Sequence, residues 1–263
     1  MLDLAVLVPV YKADLDELEH YSLDQSLRVL KKRIIFFIAP ENLDIAYYRK
    51  HFPGVPFIYF APDSFASIVG YNRLLLSTAF YSRFVDYEFV LILQTDAIIL
   101  RDELDDWTQS PFDYVGAPWP AGLDLFVHLD RFGGDYGRKI HVTVGNGGLS
   151  LRRTSKCIAL INEFPVAVDV FNRTGSSEDL FFAYMGALST KFIIPNEIVA
   201  SHFSMELNPD YYLAVNGGQV PMGGHAWWKS APEFWARHLP ASPLLDRYHT
   251  LNQVATSSGL SKE

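Results

Sequence analysis

The sequence predicts an α/β protein: a Rossmann-like, mostly parallel central sheet flanked by helices. Three observations carry that expectation. The first hundred or so residues contain four short apolar runs rich in β-branched and aromatic side chains, each of strand length. Stretches of helical periodicity separate these runs, which suits crossovers between parallel neighbours better than hairpins. The chain has 263 residues, 49% hydrophobic and 20% charged, enough to bury a large core and too apolar for a solvated disordered segment.

Residues 3–10 (DLAVLVPV) read as a buried strand. The apolar opening lacks a basic n-region and polar KADLDELEH follows it, so it is a poor signal peptide. Residues 15–30 place Leu15, Leu18, Leu23, Leu27 and Leu30 on roughly one helical stripe. Residues 33–39 (RIIFFIA) form a second strand that Pro40 stops, a short helix fits 42–51, and 55–60 (VPFIYF) give a third strand. Asp63 or Ser64 would then cap a helix over 65–83, with Phe65, Ile68, Val69, Leu75, Leu76 and Ala79 turned inward. Residues 87–93 (YEFVLIL) are the fourth strand. Regularity then fades. Trp107, Pro111, Pro118, Trp119 and Pro120 crowd 101–123, and glycine-rich 130–139 reads as a surface loop. Residues 141–151 (HVTVGNGGLSL) read as strand, tight turn, strand. Helices fit 154–163 and Glu178 to Leu188, and 191–195 (KFIIP) resume a strand. The rest is rich in Gly, Pro and aromatics. One domain over 1–263 is expected, with a frayed tail at 255–263.

Charge and cysteine content narrow the function. The 22 basic and 30 acidic side chains give a net charge of -8, which argues against a nucleic-acid partner. The lone Cys157 excludes an internal disulfide framework and a cysteine-based zinc site, and favours a reducing, cytoplasmic compartment. No run approaches the length of a transmembrane helix, while peripheral docking at a membrane stays open. The sequon Asn172-Arg173-Thr174 reads as chance.

Four segments carry chemistry. Gln94-Thr95-Asp96 follows the fourth strand, and ligands of open α/β sheets bind outside the carboxyl ends of strands. Asp96 is placed to hold a divalent cation, or to cap a turn, and Gln94 and Thr95 to meet ligand hydroxyls or turn amides. Gly145-Asn146-Gly147-Gly148 permits either close backbone approach to a ligand or a hairpin around Asn146-Gly147. Glu178 and Asp179 begin a helix, where carboxylates are favoured by the free amides. One of them could instead deprotonate an acceptor hydroxyl, and Asp179 is the preferred base. His225 stands in Gly223-Gly224-His225-Ala226-Trp227-Trp228-Lys229. It could join Asp96 at a metal while Lys229 offsets phosphate charge and Trp227 or Trp228 stacks on a ring; the alternative is a packed aromatic loop. No dinucleotide fingerprint, Walker loop or HExxH is present.

Together with Val8-Pro9-Val10-Tyr11, Gly70-Tyr71-Asn72-Arg73-Leu74, Ser110 to Gly116 and Gly145 to Arg152, these segments give the chain a resemblance spanning about residues 8–229. It resembles nucleotide-sugar-dependent glycosyltransferases of the GT-A fold. More narrowly, it is similar to a bacterial glycosyltransferase-like family formerly of unknown function. The resemblance implies a nucleotide-binding half over 1–100 and an irregular donor-sugar and acceptor half over 101–254. Pro9, Val10 and Tyr11 would line the base pocket, and Asn72 and Arg73 would approach the nucleotide or diphosphate. Gln94-Thr95-Asp96 stands where the superfamily carries its D-x-D motif, with Gln94 replacing the first aspartate. Asp96 and His225 would hold Mn2+ or Mg2+, Gly147 and Gly148 would border donor sugar and acceptor, and Asp179, or Glu178, matches the base of inverting members. The implied activity is sugar transfer from a nucleoside-diphosphate sugar to a carbohydrate or glycolipid acceptor, in the cytoplasm or at the inner membrane face, in surface polysaccharide or lipopolysaccharide synthesis. A retaining transferase on the same fold and a non-catalytic carbohydrate-binding protein, using Trp107, Trp119 and Trp227–Trp228, are the alternatives.

Overall fold

The computed structural model describes residues 2–128 and 137–245. The loop expected at 130–139 lies mostly, and the tail at 255–263 wholly, outside the described residues.

The first half follows the apolar runs. Strand β1 (Leu2–Pro9) is central, and its residues 4–9 are buried. Helix α1 (Glu17–Val29) starts at a capping box. Asp16 Oδ1 accepts the Leu18 and Glu19 amides at 2.9 and 2.8 Å, and Glu19 Oε2 reaches back to the Asp16 amide at 3.2 Å. Strand β2 (Ile34–Pro40), helix α2 (Ala46–His51) and strand β3 (Phe57–Phe60) follow. β1, β2 and β3 run parallel, and β4 (Tyr87–Leu93) joins β1 in parallel on its other side.

The helix expected over 65–83 is broken in two. A 3-10 turn (Pro62–Ser64) precedes α3 (Ile68–Leu75), and α4 (Thr78–Ser82) is separate. Two serines cause this. Ser67 Oγ accepts the Gly70 amide at 3.0 Å and Ser77 Oγ accepts the Ala79 amide at 3.1 Å, each starting its own helix. Ile68, expected inward, is 81% exposed on the first turn of α3.

Beyond β4 come β5 (Ile98–Ile99), α5 (Leu104–Thr108) and two long strands, β6 (Tyr114–His128) and β7 (Gly137–Arg153). The six-stranded sheet has the order β3-β2-β1-β4-β7-β6, with β7 antiparallel to both β4 and β6. No hairpin turn occurs at Asn146-Gly147. The glycine segment stays within β7, because Leu149 to Arg153 pair with β4 while the register against β6 shifts around Ala117 and Pro118.

Helices α6 (Thr154–Glu163), α7 (Pro165–Thr174) and α8 (Glu178–Leu188) then cover one sheet face. The strand expected at 191–195 is unpaired extended chain. Asp113 satisfies the backbone of its central residue: the Asp113 amide donates to the Ile193 carbonyl at 2.8 Å, and the Ile193 amide donates to Asp113 Oδ2 at 3.0 Å. Gly186 of α8 makes room for Phe192 and Ile194, which lie under 3 Å from where its Cβ would stand. The last third forms α9 (Glu197–Phe203), β8 (Ser204–Met205), α10 (Pro209–Val215), β9 (Gly223–Gly224), α11 (Trp227–Ser230) and α12 (Pro232–Ala236). A small sheet β5-β9-β8 ties this region to the end of β4. Trp227 and Trp235 are fully buried beneath it. Among the described residues no helix is long and apolar enough to cross a membrane.

Candidate functional site

A cavity of about 600 Å³ opens at the carboxyl ends of β1 and β4. Pro9, Tyr11 and Lys12 line it from the end of β1, and Asn72 with Tyr71 from α3. Gln94, Thr95 and Asp96 line it from the turn after β4, Asn146, Gly147 and Gly148 from β7, and Ser177, Glu178 and Asp179 from the start of α8. His225 and Lys229 close it. A second cavity of about 410 Å³ lies beside the loop leading into β3 and has no carboxylate in its wall.

Val10 and Arg73 are not brought to this cavity. Val10 is 1% exposed in the core, as alternation along an extended segment requires between Pro9 and Tyr11. Arg73 donates from Nε and Nη2 to the Asn172 carbonyl at the end of α7, at 3.2 and 2.8 Å. Neither Trp227 nor Trp228 stacks in the cavity. Trp227 donates its indole N–H to Ser22 Oγ at 2.8 Å inside the core, and Trp228 packs beside it. Trp107 and Trp119 are also absent from the cavity wall.

Asp96 and His225 meet across the carboxyl end of β4. The Gln94 amide donates to the Gly148 carbonyl at 2.9 Å, which fixes the turn against β7. Asp96 Oδ1 then lies 3.2 Å from His225 Nε2, and Gln94 Oε1 lies 3.1 Å from the same nitrogen. Glu206 Oε2 sits 2.8 Å from His225 Nδ1, and Asn146 Nδ2 donates to that same oxygen. Lys229 Nζ lies 2.6 Å from Asp96 Oδ2. Burial alone would raise the Asp96 carboxyl and lower the His225 imidazole. The hydrogen bond and charge of His225, then Lys229, hold Asp96 well below the usual carboxylate range. Bonds to Asp96 and Glu206, and their charges, lift His225 to about 9.

Asp96 Oδ1, Gln94 Oε1 and His225 Nε2 converge, two hard oxygens and one imidazole nitrogen, with Glu206 on the far ring nitrogen. Once the Nε2 proton is released under the incoming cation's charge, that donor set fits Mn2+ or Mg2+, with Glu206 orienting the ring. Among the described residues no three His, Cys, Asp or Glu side chains group as a metal cage. The third donor is the Gln94 amide oxygen, and remaining positions would fall to the ligand's own oxygens.

Gly148 permits this contact. A Cβ there would stand 2.1 to 2.4 Å from three ring atoms of His225. Gly148→Ala is therefore expected to push the imidazole off Asp96 and weaken cation binding about ten-fold or more, the scale of lost ligand orientation. Calorimetry with Mn2+ would measure it, and unchanged affinity would show that His225 does not contribute.

The two acids opening α8 differ in environment. Glu178 is buried in a bidentate pair with Arg152, at 3.1 Å (Nη1–Oε2) and 2.9 Å (Nη2–Oε1). Burial raises the Glu178 carboxyl while Arg152 opposes the rise. Glu178 is thus occupied, which removes it as a free base. Asp179 is half-buried. Its Oδ1 accepts from Ser177 Oγ and from the Leu180 amide at 2.8 Å, and among the described residues no hydrogen bond engages Oδ2.

Sequence reasoning passed over several cavity residues. Lys12 Nζ sits 2.7 Å from Glu19 Oε1, and Thr95 Oγ1 donates to that oxygen at 3.1 Å. Glu19 reads in the sequence only as a polar position of the 15–30 helix. Lys12 directly follows a quoted motif, and Asn146 lies inside another. Glu206 carries no local signal, since it arrives from a turn sixty residues beyond Asn146.

A family model described as "Protein of unknown function (DUF5672)" matches residues 54–225. No curated protein matches the chain by sequence. Mouse xyloside xylosyltransferase 1, in its apo form, aligns at 13% identity and TM-score 0.52, over 85% of this chain and 97% of its own. The galactosyltransferase LgtC, in complex with donor and acceptor sugar analogs, aligns at 16% identity and TM-score 0.52, over 98% and 97%. The bifunctional glycosyltransferase WbbM aligns at 11% identity and TM-score 0.52, over 95% of this chain and 51% of its own. The fold is that of GT-A glycosyltransferases, and the chain belongs to the protein family of unknown function DUF5672.

Proposed function

We propose that the protein transfers a sugar from a nucleoside-diphosphate sugar to a hydroxyl of a carbohydrate or glycolipid acceptor. The observation that carries this reading is one cavity, at the carboxyl ends of parallel strands, with an Asp96–His225 pair on one wall and the Asp179 carboxylate on another. Pro9 and Tyr11 border the base, Asn72 approaches the ribose or diphosphate, and Lys229 meets phosphate charge. Thr95 and the Gly147–Gly148 backbone border the sugars. Residues 1–100 supply most of the nucleotide side and 101–254 the donor-sugar and acceptor side. The family resemblance extends the reading to surface polysaccharide or lipopolysaccharide synthesis at the cytoplasmic face of a membrane.

Asp179 takes the acceptor hydroxyl proton as the acceptor oxygen bonds to the anomeric carbon. The bond from that carbon to the diphosphate oxygen breaks, and its electron pair leaves with the nucleoside diphosphate. Mn2+ or Mg2+ held by Asp96, His225 and Gln94 would supply Lewis-acid stabilisation of the leaving diphosphate. Attack from the opposite face inverts the anomeric centre.

The reading is tested by incubating the protein with UDP-, GDP-, CDP- and ADP-sugars and following release of nucleoside diphosphate. Release from at least one donor is expected. Failure of every donor to bind or turn over would favour a non-catalytic protein. Chelating divalent ions is expected to lower nucleoside-diphosphate affinity at least ten-fold, about 1.4 kcal/mol. Calorimetric affinity that ignores the chelator would remove the cation from the reading.

A further inference from the structure

The cavity holds a charge arrangement that group transfer by itself does not call for. With Gln94 two residues before it, Asp96 is the only carboxylate of the turn after β4. Both its oxygens are engaged, Oδ1 toward His225 at 3.2 Å and Oδ2 toward Lys229 at 2.6 Å. The Asp96 side chain is 16% exposed and that of Lys229 58% exposed. The carboxylate is thus fixed by the fold, while the ammonium sits on a long stem open to solvent. One ammonium cancels one carboxylate. A divalent cation approaching Asp96 would meet a neutralised ligand and a positive charge beside it. Glu206 does not replace the missing charge at that spot, because it lies on the far nitrogen of His225. The other ammonium lining the cavity, Lys12, is bound to buried Glu19 at 2.7 Å.

We propose that Lys229 is a displaceable counter-ion of Asp96, so that a divalent cation and a diphosphate bind this site cooperatively. The diphosphate draws the Lys229 ammonium off Asp96 and onto its own oxygens. The carboxylate is thereby released to the cation, and the diphosphate brings the negative charge that Gln94 does not. By linkage the cation must strengthen diphosphate binding by the same factor. The proposal rests on the donor and cation reading given above. It deepens that reading by giving Lys229 two partners in turn.

The test is Mn2+ affinity, read by water-proton relaxation, for wild type, Lys229→Met and Lys229→Arg. Each protein is titrated alone and with UDP, GDP, CDP or ADP, the metal–nucleotide complex being measured separately. Lys229→Met alone is expected to bind Mn2+ about three- to five-fold tighter than wild type, the scale of one partly exposed ion pair. Lys229→Arg should stay within about two-fold of wild type, because the charge is retained. At least one diphosphate should raise wild-type Mn2+ affinity about ten-fold or more, within the usual range of coupling, and raise that of Lys229→Met by less. Unchanged or weaker Mn2+ binding by Lys229→Met, or equal coupling in both proteins, overturns the counter-ion role while leaving the cation reading standing. A wild type that binds no Mn2+, with or without any diphosphate, overturns both.

Discussion

Asp179→Asn is expected to lower turnover by about 10²- to 10⁴-fold, the contribution of a positioned general base. Nucleoside-diphosphate affinity should stay within about two-fold. The substitution is close to isosteric, and an amide oxygen at the Oδ1 position keeps the bonds from Ser177 and from the Leu180 amide. The change therefore falls on the second oxygen, which has no hydrogen bond among the described residues. An amide nitrogen there cannot take a proton. A Cβ at Gly147 would face Asp179 and one at Gly148 would face His225, the partner of Asp96, so the proposed cation and diphosphate contacts should be spared. Steady-state kinetics with donor and acceptor, alongside calorimetry with the diphosphate, separates the two effects. Near-normal turnover in the variant would end the assignment of Asp179 as base. So would a product whose anomeric configuration, read by proton NMR, matches that of the donor, because direct displacement with a base inverts it.

Much of the framework was legible because it rests on local pattern. β4 reads as a strand from Tyr87 to Leu93 alone, and its Val90 to Leu93 are fully buried. Burying each such side chain stabilises by roughly 1.5–3 kcal/mol, so the run could hardly lie elsewhere. α8 was legible to its ends, since two acids open it and an apolar run fills it. What failed were features settled by distant partners. The Asn146-Gly147 pair has the local chemistry of a hairpin turn, yet pairing of Leu149 to Arg153 with β4 keeps it extended. Residues 191–195 have strand composition, yet Asp113 takes both backbone groups of Ile193 while Lys156 and Ser189 bond the backbone of Lys191. Ser67 and Ser77 were locally readable as caps and were overlooked inside an apolar stripe.

The site divides along the same line. Asp96 was legible as a candidate because it closely follows a strand, and Asp179 because it lies in the first turn of a helix. Val10 was misjudged because the strand alternation that buries it was not applied past Pro9. Glu206 could not be read at all. Its role exists only through His225 and Asn146, which lie far from it along the chain. Glu178 stayed close behind Asp179 as a base, although consecutive helix residues face different ways and were expected to differ in role. Its neighbour in space, Arg152, lay in a quoted motif with no role attached.

That neighbour carries the other large expected effect. Arg152→Met should destabilise the protein by about 3–5 kcal/mol, the cost of breaking one side of a buried ion pair. The Arg152 side chain is 0% exposed and that of Glu178 6%. Beyond Glu178, the guanidinium donates to Ser150 Oγ at 3.0 Å and to the Tyr81 hydroxyl at 3.1 Å. It lies 5.1 Å from the Tyr114 ring centroid and 5.3 Å from that of Phe182. Ser150 Oγ in turn donates to the Gly147 carbonyl at 2.9 Å, and Tyr114 OH to the Gly145 carbonyl at 2.6 Å. The network thus ties the glycine segment of β7 to the first turn of α8. Methionine fills much of the arginine's volume but leaves the Glu178 carboxylate buried without its partner. Glu178→Gln should cost less, because the amide oxygen still accepts one guanidinium bond. The double variant Arg152→Met with Glu178→Leu should regain stability over Arg152→Met, since it removes both charges at once. Urea unfolding of the set reads these differences directly. Two results would refute this account: Arg152→Met costing less than about 1 kcal/mol, or single effects that simply add in the double variant. The pair is then no pillar of the cavity wall, and the fixed stance of Asp179 must come from the α8 backbone alone.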